Sequence, residues 1–244
     1  MFRKDIFAAS PPPQAHSAQG LEFSTPIHYR RLDCFFAVFG ADAEAVKKLL
    51  PSPRISPALI WPGRCMAALN AFNYLDTDIG PYGEFSVAVP CFLQNPVLKP
   101  GLGVYIHRLP VTTELALVAG LELWGYPKFV CDMKFKSSAF VHWVRLEQEG
   151  RLILELSVEK GALAIGAGAG LNTLTIKDGD IIQTGIQSSS MLRASPLGRA
   201  ELNLGDHEMG SELAGLGLGK RSLLTGDLLD ANMLLPLGVN AGPA

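Results

Sequence analysis

Ala139-Phe-Val-His-Trp-Val-Arg-Leu-Glu-Gln148, then Glu149-Gly150, then Arg151-Leu-Ile-Leu-Glu-Leu-Ser-Val-Glu159 reads as strand, two-residue turn and strand. In the second arm Leu152, Leu154, Leu156 and Val158 alternate with Arg151, Glu155 and Glu159, so one face is apolar and the other, apart from Ile153, is polar. The flanking sequence repeats this theme. Arg64 to Phe72, Phe85 to Val89 and Gly103 to His107 read as short strands between Gly/Pro turns, and Leu171 to Lys177 and Asp180 to Ile186 as further strands. Leu32 to Phe39 has the content of a buried strand. Asp42 is placed to cap a short helix carrying Val46, Leu49 and Leu50, which Pro51 stops. Leu223 to Leu235 is apolar but shows no period that decides its type. The count predicts an α+β chain that is predominantly antiparallel β, with a few short helices.

At 244 residues the chain suits one sizeable domain, placed at 21–244. Residues 1–20, with Pro11-Pro-Pro13 and Gly20, are expected to form a flexible lead-in. Hydrophobic residues make up 48% and charged residues 18%, which excludes disorder over most of the length and points to extra buried surface in an oligomer. The net charge of −2, with no basic run interleaved with aromatics, gives a nucleic-acid partner no electrostatic footprint. No apolar run reaches the roughly 18 residues of a membrane helix, so no membrane partner is expected. Met1-Phe-Arg-Lys-Asp-Ile-Phe7 lacks a continuous apolar stretch, so a cytoplasmic location is the expectation. Cys34, Cys65, Cys91 and Cys131 are widely spaced and read as small buried residues in a reducing compartment.

The chemistry centres on Gly120-Leu-Glu-Leu-Trp-Gly-Tyr-Pro-Lys-Phe129. Thr113 is an available N-cap and Glu114 suits a first turn, so Glu114 to Trp124 reads as a helix ended by Gly125 and Pro127. Lys128 then stands just past a helix C-terminus, among Trp124, Tyr126 and Phe129. An amine attacks a ketone only when unprotonated, and an apolar surround disfavours the ammonium form. The helix dipole opposes this by about 0.3–1 kcal/mol, less than full desolvation supplies. On composition alone, a loop lysine is a surface residue.

Other motifs carry less. Gly166-Ala-Gly168-Ala-Gly170 lacks the GxGxxG spacing of a nucleotide loop, and in Gly215-Leu-Gly217-Leu-Gly219-Lys220 Ala214 and Arg221 break the P-loop pattern. His16, His28, His107, His142 and His207 show no metal spacing, and Ser188-Ser-Ser190 has no GxSxG setting. No metal and no cofactor are expected.

With the Trp-Gly-Tyr-Pro-Lys segment in view, the chain resembles the acetoacetate decarboxylase family, in which a lysine after an aromatic-Pro pair forms a Schiff base with a β-keto acid; that family is a standard example of an activated lysine. Tyr82-Gly-Glu84 followed by Val87-Ala-Val-Pro90 is similar to the family's Tyr-x-Glu segment. Gly120, Glu122 and Leu123 match its Gly-Arg-Glu-Leu run, with Leu121 in place of arginine, and Leu202 to His207 and Leu223 to Pro236 look like its C-terminal portion. The resemblance implies a β-barrel-like core and a homo-oligomer. It makes Lys128 the imine-forming nucleophile and Glu84 a second catalytic residue that orients substrate or handles protons. Tyr82, Trp124, Tyr126 and Phe129 become substrate-binding residues, with Arg31 the counterpart of an arginine near the family's first strand. Phe129 also replaces a second lysine of the family, so with Leu121 the chain loses two cations, which widens the choice of keto acid. The implied function is decarboxylation of acetoacetate or a larger analogue through an imine and an enamine. The alternatives are an imine-forming aldolase or dehydratase, or a non-catalytic small-molecule-binding relative.

Overall fold

The computed structural model describes residues 5–8, 10–94, 101–161 and 163–244, with residues 163–169 described by their backbone alone. Two strands, β1 (Gln14–Ala18) and β2 (Leu21–Thr25), form an antiparallel hairpin ahead of the long strand β3 (Ile27–Asp42). Part of the segment expected as a flexible lead-in is therefore strand: His16 shares a 2.8 Å hydrogen bond with Thr25 and its ring stacks on Phe23. Helix α1 (Ala43–Leu49) follows, and Asp42 caps it by accepting from the Ala45 N–H at 2.8 Å. The short strands β4 (Ile55–Pro57) and β5 (Leu59–Trp61) lead into β6 (Arg64–Thr77), β7 (Tyr82–Leu93) and β8 (Leu102–Arg108). After helix α2 (Glu114–Trp124) come β9 (Asp132–Ser137), β10 (Val141–Gln148) and β11 (Arg151–Glu159). The chain ends with β12 (Leu163–Lys177), β13 (Asp180–Pro196), β14 (Ala200–Leu204), helix α3 (Glu208–Gly215), β15 (Ser222–Leu235) and β16 (Val239–Pro243).

Strands β7, β8, β12, β13, β15, β3 and β6 are successive hydrogen-bonded neighbours, and β6 pairs back with β7, closing a seven-stranded barrel. The neighbouring pairs are antiparallel except β8 with β12. A four-stranded sheet in the order β14-β11-β10-β9 packs on the outside. The glycine-rich run at residues 166–170 is part of β12, paired with β13, and the undecided segment Leu223 to Leu235 is β15.

Strand alternation divides β3, β6 and β7 between two cores. Phe35, Ala37 and Phe39, Ala67, Leu69 and Ala71, and Phe85, Val87 and Val89 face outward, into a core shared with Val144, Leu146, Leu154 and Leu156 of the outer sheet. The intervening residues face into the barrel, where Leu32, Cys34, Tyr74 and Tyr82 meet Trp124 and Tyr126. Phe23 of β2 and Ala116, Val118 and Ala119 of α2 belong to the same interior cluster, so α2 and the first hairpin cover one end of the barrel.

The β10–β11 turn places Glu149 at φ 52° and Gly150 at φ 77°, the left-handed pair that a two-residue hairpin requires. The anomalous Ile153 also has an explanation. Leu146 pairs with Leu154 and Glu147 with Leu152, leaving Ile153 as the extra residue of a β-bulge, so Ile153 and Leu154 are both fully buried. All four cysteines are buried and free. Among the described residues, no helix is long and apolar enough to cross a membrane.

Candidate active site

Helix α2 ends where the sequence predicts. Gly125 adopts φ +62°, the Tyr126 N–H donates to the Gly120 carbonyl and the Gly125 N–H to the Leu121 carbonyl, both at 3.1 Å. Beyond the helix, the chain is fastened to the segment after β8: the Leu109 N–H donates to the Pro127 carbonyl at 3.0 Å and the Val111 N–H to the Phe129 carbonyl at 2.9 Å. This fixes the backbone on both sides of Lys128. Its side chain runs back over Gly120, where a Cβ would stand 2.5 Å from both Cδ and Cε. Only glycine leaves that path open.

Inside the barrel the Lys128 Nζ donates to Glu84 Oε2 at 2.7 Å, and the two side chains are only 6% and 8% exposed. The second carboxylate oxygen accepts from the Tyr74 hydroxyl at 2.9 Å. The Tyr82 and Tyr126 ring centres lie 5.7 and 5.8 Å from Nζ. The hydroxyls of Tyr29 and Tyr82 are 3.0 Å apart, and Tyr126 shares a 2.8 Å hydrogen bond with Thr173. Burial, and after it the charge of Glu84, pushes the phenols of Tyr29 and Tyr74 far above their ordinary range. Burial does the same to Tyr82 and Tyr126. The chamber therefore presents neutral hydroxyls around the Lys128 amino group and the Glu84 carboxyl group. A buried pair of this kind is costly to break, because either partner alone is an uncompensated charge.

The structure brings Lys128, Glu84, Tyr82 and Tyr126 together. Trp124 is buried one step behind them, its ring centre 6.0 Å from that of Tyr126 and its indole N–H donating to the Pro236 carbonyl at 2.9 Å. Arg31 and Phe129 are placed differently from these. The pairing of β3 with β6 shifts register on both sides of Arg31, so Arg30 and Arg31 are both exposed between the inward-facing Tyr29 and Leu32. This bulge turns Arg31 into a cleft of about 670 Å³ that it lines together with Tyr74, Tyr82, Asp132 and Lys134. Phe129 packs toward the outer core and stacks on His207 with ring centres 5.8 Å apart. Leu121 is 40% exposed on α2. Leu121 is thus at the surface of α2 and Phe129 is turned to the outer core. Tyr74, Tyr29 and Gly120 are site residues that the sequence reading passed over. The period-two spacing of Phe72 and Tyr74, opposite Glu84 and Tyr82, was the available signal for Tyr74.

No curated protein matches the chain by sequence. Among solved structures, one of acetoacetate decarboxylase is similar at 22% identity and a TM-score of 0.68, covering 89% of this chain and 90% of that one. Acetoacetate decarboxylase from Legionella pneumophila is similar at 14% identity and a TM-score of 0.66, over 96% and 92% of the two chains. The enduracididine biosynthesis enzyme MppR, solved with the condensation product of pyruvate and imidazole 4-carboxaldehyde, is similar at 14% identity and a TM-score of 0.66, over 96% and 98%. These likenesses establish the fold. The family model described as acetoacetate decarboxylase matches residues 10–176, which include the Tyr-x-Glu segment, α2 and the Tyr-Pro-Lys sequence, and the chain belongs to that family.

Proposed function

We propose that this protein is a Schiff-base-forming enzyme that decarboxylates a β-keto acid through Lys128. The observation that carries the reading is the 2.7 Å contact between Lys128 and Glu84 inside an enclosed, tyrosine-lined barrel. Glu84 is near enough to take the ammonium proton, leaving an amine that attacks the keto carbon. Returning that proton to the carbinolamine oxygen expels water and leaves an iminium cation. The bond to the carboxylate then breaks, its electron pair neutralises the iminium as an enamine, and carbon dioxide departs. Protonation of the enamine carbon and hydrolysis release a ketone and free lysine. Neutral hydroxyl walls favour a step in which substrate charge disappears.

A second reading, imine-based condensation or dehydration, is supported by the likeness to MppR over nearly the full length of both chains. Borohydride trapping tests both. Incubation with a β-keto acid and borohydride is expected to leave a reduced adduct on Lys128, seen by peptide mass spectrometry and lost in Lys128→Arg. Carbon dioxide release assigns decarboxylation, and adduct without it assigns the second reading. Ligand binding with no adduct at Lys128 would instead leave a non-catalytic binding protein.

A further inference from the structure

The barrel interior differs between its two ends. At the end covered by α2, the rings of Tyr29, Tyr74 and Tyr82 pack with centres 4.5 and 4.6 Å apart, and all three are buried. Toward the other end a row of described inward-facing side chains is apolar and only partly buried: Phe36 and Val38 on β3, Ala68 and Phe72 on β6, Val104 on β8, Leu228 on β15. Their neighbours in sequence, such as Ala37, Leu69 and Asp227, are wholly buried on the outer face, so the exposure belongs to the inside of the barrel. Phe92 and Leu102, register partners on β7 and β8, continue this inward row at the rim and are each 50% exposed. Polar side chains interrupt the interior one rung below Glu84, where the Asn70 amide donates to the Ser86 hydroxyl at 2.8 Å, and on β13, where Ser188 and Ser190 face inward by alternation.

We propose that substrate reaches Lys128 through this end, and that the substrate class is β-keto acids carrying an apolar chain of several carbons beyond the keto group. The proposal rests on the imine-forming reading and specifies what that site accepts. From Glu84 to Phe92 is a run of strand about 26 Å long at 3.3 Å per residue. A four-carbon acid at Lys128 leaves most of that wall facing water, whereas an alkyl chain lying along Phe72, Ala68 and Val104 removes both surfaces from it. The Asn70–Ser86 pair satisfies itself and offers the chain no obstacle beyond a partly used amide.

The test is a series of straight-chain 3-oxo acids, from acetoacetate to 3-oxodecanoate, assayed with the full-length protein by carbon dioxide release and by borohydride adduct on Lys128. The expected result is a rise in kcat/KM of about fourfold for each added methylene that is buried. Adduct formation with a flat or falling length dependence overturns the substrate class while leaving the imine reading intact. No adduct with any member overturns the imine reading itself. Ala68→Phe, which narrows the passage, is expected to collapse the dependence on chain length; a retained dependence in the folded variant overturns the location. Should that variant fail to fold, the nearly isosteric Val104→Thr carries the same test, with a several-fold loss expected only for the longer acids, and an unchanged length profile overturning the location.

Discussion

Glu84 and Phe85 are consecutive on β7 and are buried to a similar degree, yet they belong to different cores. Phe85 lies with Val87, Val89, Leu146 and Leu156 between the barrel and the outer sheet, where apolar area is removed from water at roughly 25 cal/mol per Å². Glu84 lies among tyrosines inside the barrel, with each carboxylate oxygen accepting a hydrogen bond from Lys128 or Tyr74. The outer core holds the molecule together. The inner one holds charged and polar groups in place, tolerable only because each is paired with another. Burial alone does not distinguish the two; the identity of the facing residues does.

Substitutions on the two sides should therefore separate activity from stability. Glu84→Gln removes the proton acceptor, and kcat/KM for imine formation is expected to fall by about 10²–10⁴, read by adduct kinetics. Phe85→Ala is expected to lower unfolding free energy by about 3–5 kcal/mol in denaturant titration, with the adduct still forming in the folded fraction. If Phe85→Ala abolished the adduct in folded protein, the division between the cores would fail. Tyr74→Phe sharpens the inner side: it deletes one hydrogen bond to the buried carboxylate, which should slow turnover and also lower unfolding free energy by about 1–3 kcal/mol in urea titration, less than Phe85→Ala does.

The outer core also holds a buried ionisable cluster, and it gives the smallest effect. His142 Nε2 is 3.0 Å from the fully buried Asp227, which also accepts from Arg193 Nε at 3.0 Å, and the His142 ring stacks on Phe35. Burial depresses the His142 pKa below its ordinary value of 6.5, against the pull of Asp227. Below about pH 6.5 the unfolded chain takes up a proton that the native imidazole resists, so stability is full above that pH and declines as pH falls toward the folded-state value, by at most about 1.4 kcal/mol per pH unit. Urea titrations at pH 5.5 and 7.0 should show this slope, and His142→Asn should flatten it; an equal slope in the variant would place the titrating group elsewhere.

Much of this architecture is legible in local sequence. The bounds of α2, the Asp42 cap, the Glu149-Gly150 turn and the identity of most long strands follow from period, capping and turn chemistry, which act over a few residues. The features that local sequence does not decide share one cause. Arg31 and Ile153 both sit at bulges, where an extra residue reverses the alternation, and a bulge is set by pairing with another strand. Strand lengths were underread for β12 and β13 because their ends are fixed by partners and not by composition. The strand at Gln14–Ala18 depends on Leu21–Thr25 folding back onto it.

By itself the sequence determined an antiparallel β chain with a helix ending at Gly125, and it placed one lysine after Tyr126-Pro127 beside a Tyr-x-Glu strand in the pattern of a family the chain belongs to. Only the tertiary structure decided that Lys128 meets Glu84, itself held by Tyr74, rather than Arg31 and Phe129. That choice depends on barrel closure, on a bulge in β3 and on the missing side chain at Gly120, each of which sets distances between residues far apart in the chain.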